Sequence, residues 1–149
     1  MYRTILLPLD GSERAESILP HVEELALRYK AKVILIQVIE STQLLQVSDG
    51  GSMEAYQKAL GELEKEATAY LGRLQEYFLK KGINAHINIC HGAVVEEIIK
   101  VAENEKVDII ALASHGRTGL SRVFYGSVAA GILHRIDRPL LLVRSSGNQ

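Results

Sequence analysis

The sequence predicts an α/β fold, an open doubly wound sheet of five parallel strands with helices on both faces, and three observations lead there. Short β-branched or leucine-rich runs alternate with longer amphipathic stretches, the pattern that βα units leave in a sequence. Two of those runs, Val33-Ile34-Leu35-Ile36 and Ile109-Ile110-Ala111-Leu112-Ala113, are apolar without alternation, as strands covered on both faces are. The 149 residues are 47% hydrophobic and 23% charged. That is ordinary globular usage, and a chain of this length buries a core without staples, so residues 1–149 read as one domain.

The elements follow in order. Strands are predicted over Tyr2 to Pro8, Lys32 to Ile39, Asn84 to His91, Val107 to Ser114 and Pro139 to Arg144. Helices are predicted over Ser12 to Lys30, Met53 to Lys81, Ala93 to Asn104 and Ser127 to Arg135. In the first helix Pro20 lies well past the opening turn, where a missing N–H and a bulky ring predict a kink. The second helix carries Leu60, Leu63, Ala67, Tyr70, Leu71, Leu74 and Phe78 at spacings of three and four, a stripe that faces the sheet, while Glu62, Glu64, Lys65 and Glu66 form a solvated face. Glu40 to Ser52 is a polar connector with Ser48-Asp49-Gly50-Gly51-Ser52 near its end. It is longer than most connections in a compact domain and reads either as a mobile lid or as plain disorder. No internal repeat or low-complexity tract is visible.

Composition excludes several function classes. Lys and Arg number 17 against 18 Asp and Glu, a formal charge of -1, so there is no basic excess of the kind nucleic-acid binders carry. No apolar run approaches the ~20 residues that cross a bilayer, and the start of the chain lacks a signal-peptide pattern. The one cysteine, Cys90, has no partner for an intramolecular disulfide or a thiolate metal site, and within the third strand it reads as a small buried hydrophobe. These features predict a cytoplasmic protein. His21, His86, His91 and His134 are scattered without metal-ligand spacing, and no metal site is expected.

In doubly wound sheets, ligands bind beyond the carboxyl ends of the strands, where the connection direction reverses. Two segments qualify: Pro8-Leu9-Asp10-Gly11-Ser12 after the first strand, and Ser114 to Gly126 after the fourth. The second has what an anion site needs. Gly116 and Gly119 let backbone approach a ligand, and Gly126-Ser127 opens a helix whose free N–H groups and dipole favour phosphate. Ser127 is expected to cap that helix and to offer its hydroxyl to a phosphate oxygen, and Arg117 is placed to meet phosphate charge. Asp10 is suited to accept from a ribose or an adenine amino group, or to cap the helix beginning near Ser12. Ordinary strand-to-helix loops use glycines and a serine cap too, so the pattern alone leaves both readings open. The spacings G-x-x-x-x-G-K-[ST] and G-x-G-x-x-G are absent. His115 has no neighbouring carboxylate to orient it and no nucleophile to activate, so no catalytic residue is assigned.

From Ile5-Leu6-Leu7-Pro8-Leu9-Asp10-Gly11-Ser12 to Arg138-Pro139-Leu140-Leu141-Leu142-Val143, the chain resembles the universal stress protein family. The most specific part is the family's nucleotide motif Gly-x2-Gly-x9-Gly-(Ser/Thr), met here by Ala113-Ser114-His115-Gly116, nine residues, then Gly126-Ser127, with Ala113 replacing the first glycine. The resemblance implies the strand order 3-2-1-4-5 and membership of the ATP-binding subgroup. It implies that Gly116, Gly126 and Ser127 hold the phosphates and that Ala113 lies by the ribose. Pro8, Leu9 and Asp10 would line the adenine side, Val38 would offer backbone groups to the base, and Leu112 and Val128 would complete the apolar wall. The ligand would be ATP or AMP, with Mg2+ carried by the phosphates rather than by a protein cage.

With that strand order, Leu140-Leu141-Leu142-Val143 is an open apolar edge, which invites pairing with a second copy. The resemblance points to the same homodimer. The expected function is a dimeric nucleotide-binding stress-response or signalling module without strong catalysis. Two other readings are open: a slow ATP hydrolase or nucleotidyl transferase on the same scaffold, and a nucleotide-free interaction scaffold, which Ala113 would favour.

Overall fold

The computed structural model describes residues 1–42, 44, 51–114 and 126–144. Five strands form one sheet: β1 (Thr4–Pro8), β2 (Lys32–Ile39), β3 (Ala85–His91), β4 (Ile109–Ala113) and β5 (Leu140–Val143). All pairs are parallel and the order is β3-β2-β1-β4-β5, as expected. The helices are α1 (Leu19–Tyr29), α2 (Met53–Lys80), α3 (Val94–Asn104) and α4 (Ser127–Arg135), with a 3-10 turn over Arg14–Ile18. Among the described residues no helix is long and apolar enough to cross a membrane.

The non-alternating strands are buried on both faces because two helical layers cover them. On one face Ile5, Leu7, Val33, Leu35 and Ala111 pack against α1 and the stripe Tyr70, Leu71, Leu74 and Phe78 of α2. On the other, Leu6, Ile34, Ile36, Ile110 and Leu112 pack against Ile98, Val101 and Ala102 of α3 and Ala129 and Ile132 of α4. Each fully buried aliphatic side chain contributes about 1.5–3 kcal/mol by leaving water. The predicted α2 stripe thins toward its start, where Leu60 and Leu63 are only partly buried beside Ile39, Leu44 and Ala59.

The first predicted helix is really two pieces. The 3-10 turn takes up Arg14–Ile18 and the α-helix begins at Leu19, so Pro20 falls in the opening turn, where no intrahelical donor is needed. The predicted kink is thereby replaced by a change of helix type. Cys90 also departs from expectation. It is half-buried on edge strand β3, and its thiol donates to Asn88 Oδ1 at 3.3 Å. Burial first, then the Glu97 carboxylate, pushes that thiol above its ordinary pKa, which keeps it from the reactive thiolate form. Of the predicted connector 40–52, most lies outside the described residues; Ser52 caps α2 by accepting from the Ala55 N–H at 3.0 Å.

Two contacts that fix the helical layers lend themselves to measurement. Gly131 of α4 packs against α3 so closely that an added Cβ would lie 2.7 Å from Val95 Cγ2, an atom of a stiff β-branched side chain. Gly131→Ala is expected to destabilise by about 1–3 kcal/mol through overpacking, and Val95→Ala in the same chain should recover much of it. A double-mutant cycle by urea denaturation checks this. On the other layer, the Tyr77 hydroxyl of α2 donates to Glu23 Oε2 of α1 at 2.5 Å, and Lys81 Nζ pairs with Glu23 Oε1 at 3.1 Å. Those two partners, Tyr77 first, hold the Glu23 carboxyl below its ordinary pKa. A depressed carboxyl stabilises above its unfolded pKa, and that stability is lost as pH falls through the folded value. Thermal melts of Glu23→Gln should therefore lose part of the parent's fall in Tm as pH drops through the carboxylate range, and match its shape above it.

Candidate functional site at the carboxyl end of the sheet

The topology reverses at β1, which pairs with β2 on one side and β4 on the other. Pro8 is level with Ile36, and Leu6 with Ile110. Continuing that register sets Asp10 level with Val38 on one flank and Ser114 on the other. Among the described residues, the carboxyl ends of β1, β2 and β4 therefore lie side by side, and Gly126 at the start of α4 stands against Ser114.

Alternation sorts their side chains by face. Val38, Val128 and Leu112 all pack in the cluster with α3 and α4, and Pro8 shares the parity of Leu6 on that side. These four form an apolar wall. Leu9 does not join it. Its side chain is buried in the α1 and α2 cluster, so only its backbone faces the crevice, and its N–H is already bonded to the Ile36 carbonyl at 2.9 Å. Asp10 Oδ1 accepts from the Ser12 N–H at 2.9 Å, and Ser12 Oγ accepts from the Ala15 N–H at 3.2 Å. The capping role foreseen for Asp10 is thus shared with Ser12, with Gly11 at φ +86 making the turn between them. Ala113 is extended and pairs with Val143. A strand residue needs no positive φ, and by alternation its methyl lies on the Ala111 face, away from the apolar wall.

Gly126 is where local conformation and tertiary contact meet. It has φ 79 and ψ 151, a region that side chains other than hydrogen avoid, and a Cβ there would lie 2.3 Å from the Ser114 carbonyl oxygen. Backbone therefore presses directly on the end of β4. Gly126, not Ser127, is the N-cap of α4, which corrects the expected capping role: Ser127 is the first helical residue and is exposed. A glycine cap leaves no side chain on the first-turn N–H groups, and no acidic residue stands in that turn. The positive end of the helix dipole thus opens into the crevice without a built-in anion.

Ser114 carries little signal in its residue type. It is 3% exposed, its Oγ has no hydrogen-bond partner, and its N–H donates to the Val143 carbonyl at 2.8 Å. The signal was a hydroxyl closing an otherwise apolar strand. Gly116 and Arg117, with His115 and the rest of 115–125, lie outside the described residues. Among the described residues no group of three or more His, Cys, Asp or Glu side chains stands close enough to hold a metal ion.

A five-stranded parallel sheet with helices on both faces and a topological switch point at β1 belongs to the class of open doubly wound α/β proteins. Within that class the chain belongs to the universal stress protein family, whose profile matches residues 1–144. It is 33% identical over 155 aligned positions to universal stress protein MJ0577 of Methanocaldococcus jannaschii, covering 97% of this chain and 96% of that one. The solved structure of MJ0577 superposes with a TM-score of 0.88 at 32% identity over 99% of each chain. An Arabidopsis thaliana universal stress family protein, solved with AMP bound, shares the fold at TM-score 0.69 and 14% identity, covering 97% of this chain and 93% of that one.

Proposed function

We propose that this protein binds an adenine nucleotide, ATP or AMP, and acts as a dimeric stress-response or signalling module rather than as an efficient catalyst. The observation that carries this is Gly126: its conformation and its contact with Ser114 hold the bare N-terminus of α4 at the switch point. The phosphates would rest on the first-turn N–H groups and the Ser127 hydroxyl, together with Gly116 and Arg117 from the motif loop. The unpartnered Ser114 Oγ supplies one more donor. The base would lie along Pro8, Val38, Leu112 and Val128, with Asp10 at its polar edge. Mg2+ would arrive on the phosphates. The AMP bound to the Arabidopsis relative supports the ligand class. Among the described residues of the crevice, no hydrogen bond joins a nucleophilic side chain to a base, which favours binding over turnover.

The dimer would form through β5. Its four residues are half-buried, and β4 bonds only alternate backbone groups of the strand, leaving those of Leu140 and Leu142 directed outward. Mass spectrometry of small molecules released from freshly purified protein, with no nucleotide added, tests the ligand. An adenine nucleotide near one per chain is the expected result. Repeated absence from a folded preparation that also rejects added nucleotide would sink the proposal.

A further inference from the structure

A second cavity lies on the opposite face of β2 from the apolar wall. Val33 and Leu35 point to the α1 and α2 layer, so Gln37 does too, at a position where the strand's pattern calls for an apolar residue. Its Oε1 is shielded from water and has no hydrogen-bond partner. Across from it, Tyr70 of α2 is 9% exposed and its hydroxyl is likewise unpartnered. Burial, then the nearby Glu16 and Asp10 carboxylates, pushes that hydroxyl above the ordinary phenol range, so it stays a proton donor. Leaving such groups unpaired is costly, and a sequence tolerates it where a ligand completes them.

The cavity between them has a volume of about 190 Å³. That is room for about six waters at their liquid volume of about 30 Å³, and so for a molecule of roughly ten heavy atoms. Its mouth carries opposite charges, Glu66 and Arg73, and Leu63 and Ala67 give it an apolar side. Arg73 is held over the Tyr70 ring, 5.8 Å from its centroid. A phosphate would meet Glu66 with Glu16 and Asp10 behind it, and a metal or ammonium ion would meet Arg73. Hydroxyl groups, each both donor and acceptor, suit interleaved acceptors and donors, and a C–H face suits Leu63 and Ala67. From this juxtaposition we infer that the Gln37–Tyr70 cavity is a binding site for a small uncharged polyol, separate from the nucleotide crevice.

The test uses the full chain and ribitol, followed by 1H–15N NMR. Saturable shifts are expected at the Gln37 side-chain amide and the Gly11 N–H, with a dissociation constant on the order of 1–10 mM. Gln37→Leu and Tyr70→Phe should each weaken ribitol at least ~10-fold, keep a folded spectrum, and leave AMP binding unchanged. Gly126→Asp should leave ribitol binding unchanged, so the two sites fail independently. No saturable shift from ribitol, or shifts that persist at full strength in Gln37→Leu/Tyr70→Phe, would overturn the inference and leave a cavity filled by water alone.

Discussion

Gly126→Ala is expected to remove nucleotide binding and to lower stability at once. At φ 79 and ψ 151 a methyl group costs about 1–3 kcal/mol in backbone strain alone. The added Cβ would also stand 2.3 Å from the Ser114 carbonyl, a backbone atom that cannot swing aside. Relief requires the end of β4 and the start of α4 to part, which takes the first-turn N–H groups away from the phosphates. Calorimetry should show ATP and AMP affinity reduced by at least ~100-fold, equivalent to about 2.7 kcal/mol. Scanning calorimetry should show Tm lower by roughly 5–10 °C, given about 2–4 °C per kcal/mol at this size. Ser127→Ala provides the contrast. Ser127 is exposed and contributes one hydroxyl, so its loss should cost about 1.5–3 kcal/mol of binding, near ten-fold or more, with Tm unchanged. Equal affinity in Gly126→Ala and the parent would remove α4 from the phosphate site.

Leu142→Pro is expected to turn a dimer into a folded monomer. The Ile110 N–H donates to the Pro139 carbonyl at 3.0 Å and the Ser114 N–H to the Val143 carbonyl at 2.8 Å. With Ile110 level with Leu140 and Leu112 with Leu142, the β4 ladder uses residues 139, 141 and 143. The Leu142 N–H therefore points away from the sheet. Proline there deletes an outward donor and adds a ring to the edge, yet leaves the inward bonds in place. Sedimentation velocity should show the dimer dissociation constant raised at least ~100-fold, with the far-UV spectrum retained; Leu142→Val, which keeps the donor, should remain dimeric. A parent chain that is monomeric at high concentration would refute edge pairing directly.

Much of this architecture was legible in the residues because double-sided burial leaves a plain mark. Val33 to Ile36 and Ile109 to Leu112 could satisfy their lack of alternation only between two helical layers, and that is where they lie. Pro20 misled because a helix start preceded by a 3-10 turn has the same composition as a longer helix with a kink. The Gly126-Ser127 pair was readable as a helix start, but the reason for the glycine was not, since the carbonyl it presses against belongs to the end of another strand. Ser127 was misjudged as the cap by one position, within the usual uncertainty of a helix end. Leu9 is named for the adenine side by the family resemblance alone; strand alternation turns its side chain to the α1 and α2 layer, which leaves its backbone for that role. Gln37 and Tyr70 are silent in the sequence for opposite reasons: one follows an apolar run with nothing local to mark it, and the other fits the apolar stripe of α2, which hides its hydroxyl.

The proposed ligand of the crevice at the β1–β4 switch point is an adenine nucleotide. Isothermal titration of the folded parent chain with ATP, and separately AMP, in the presence of Mg2+ tests it most directly. Saturable binding of one nucleotide per chain is expected, with a dissociation constant between about 1 µM and 1 mM. No heat and no competition by either nucleotide at millimolar concentration, from protein whose melt is cooperative, would contradict it.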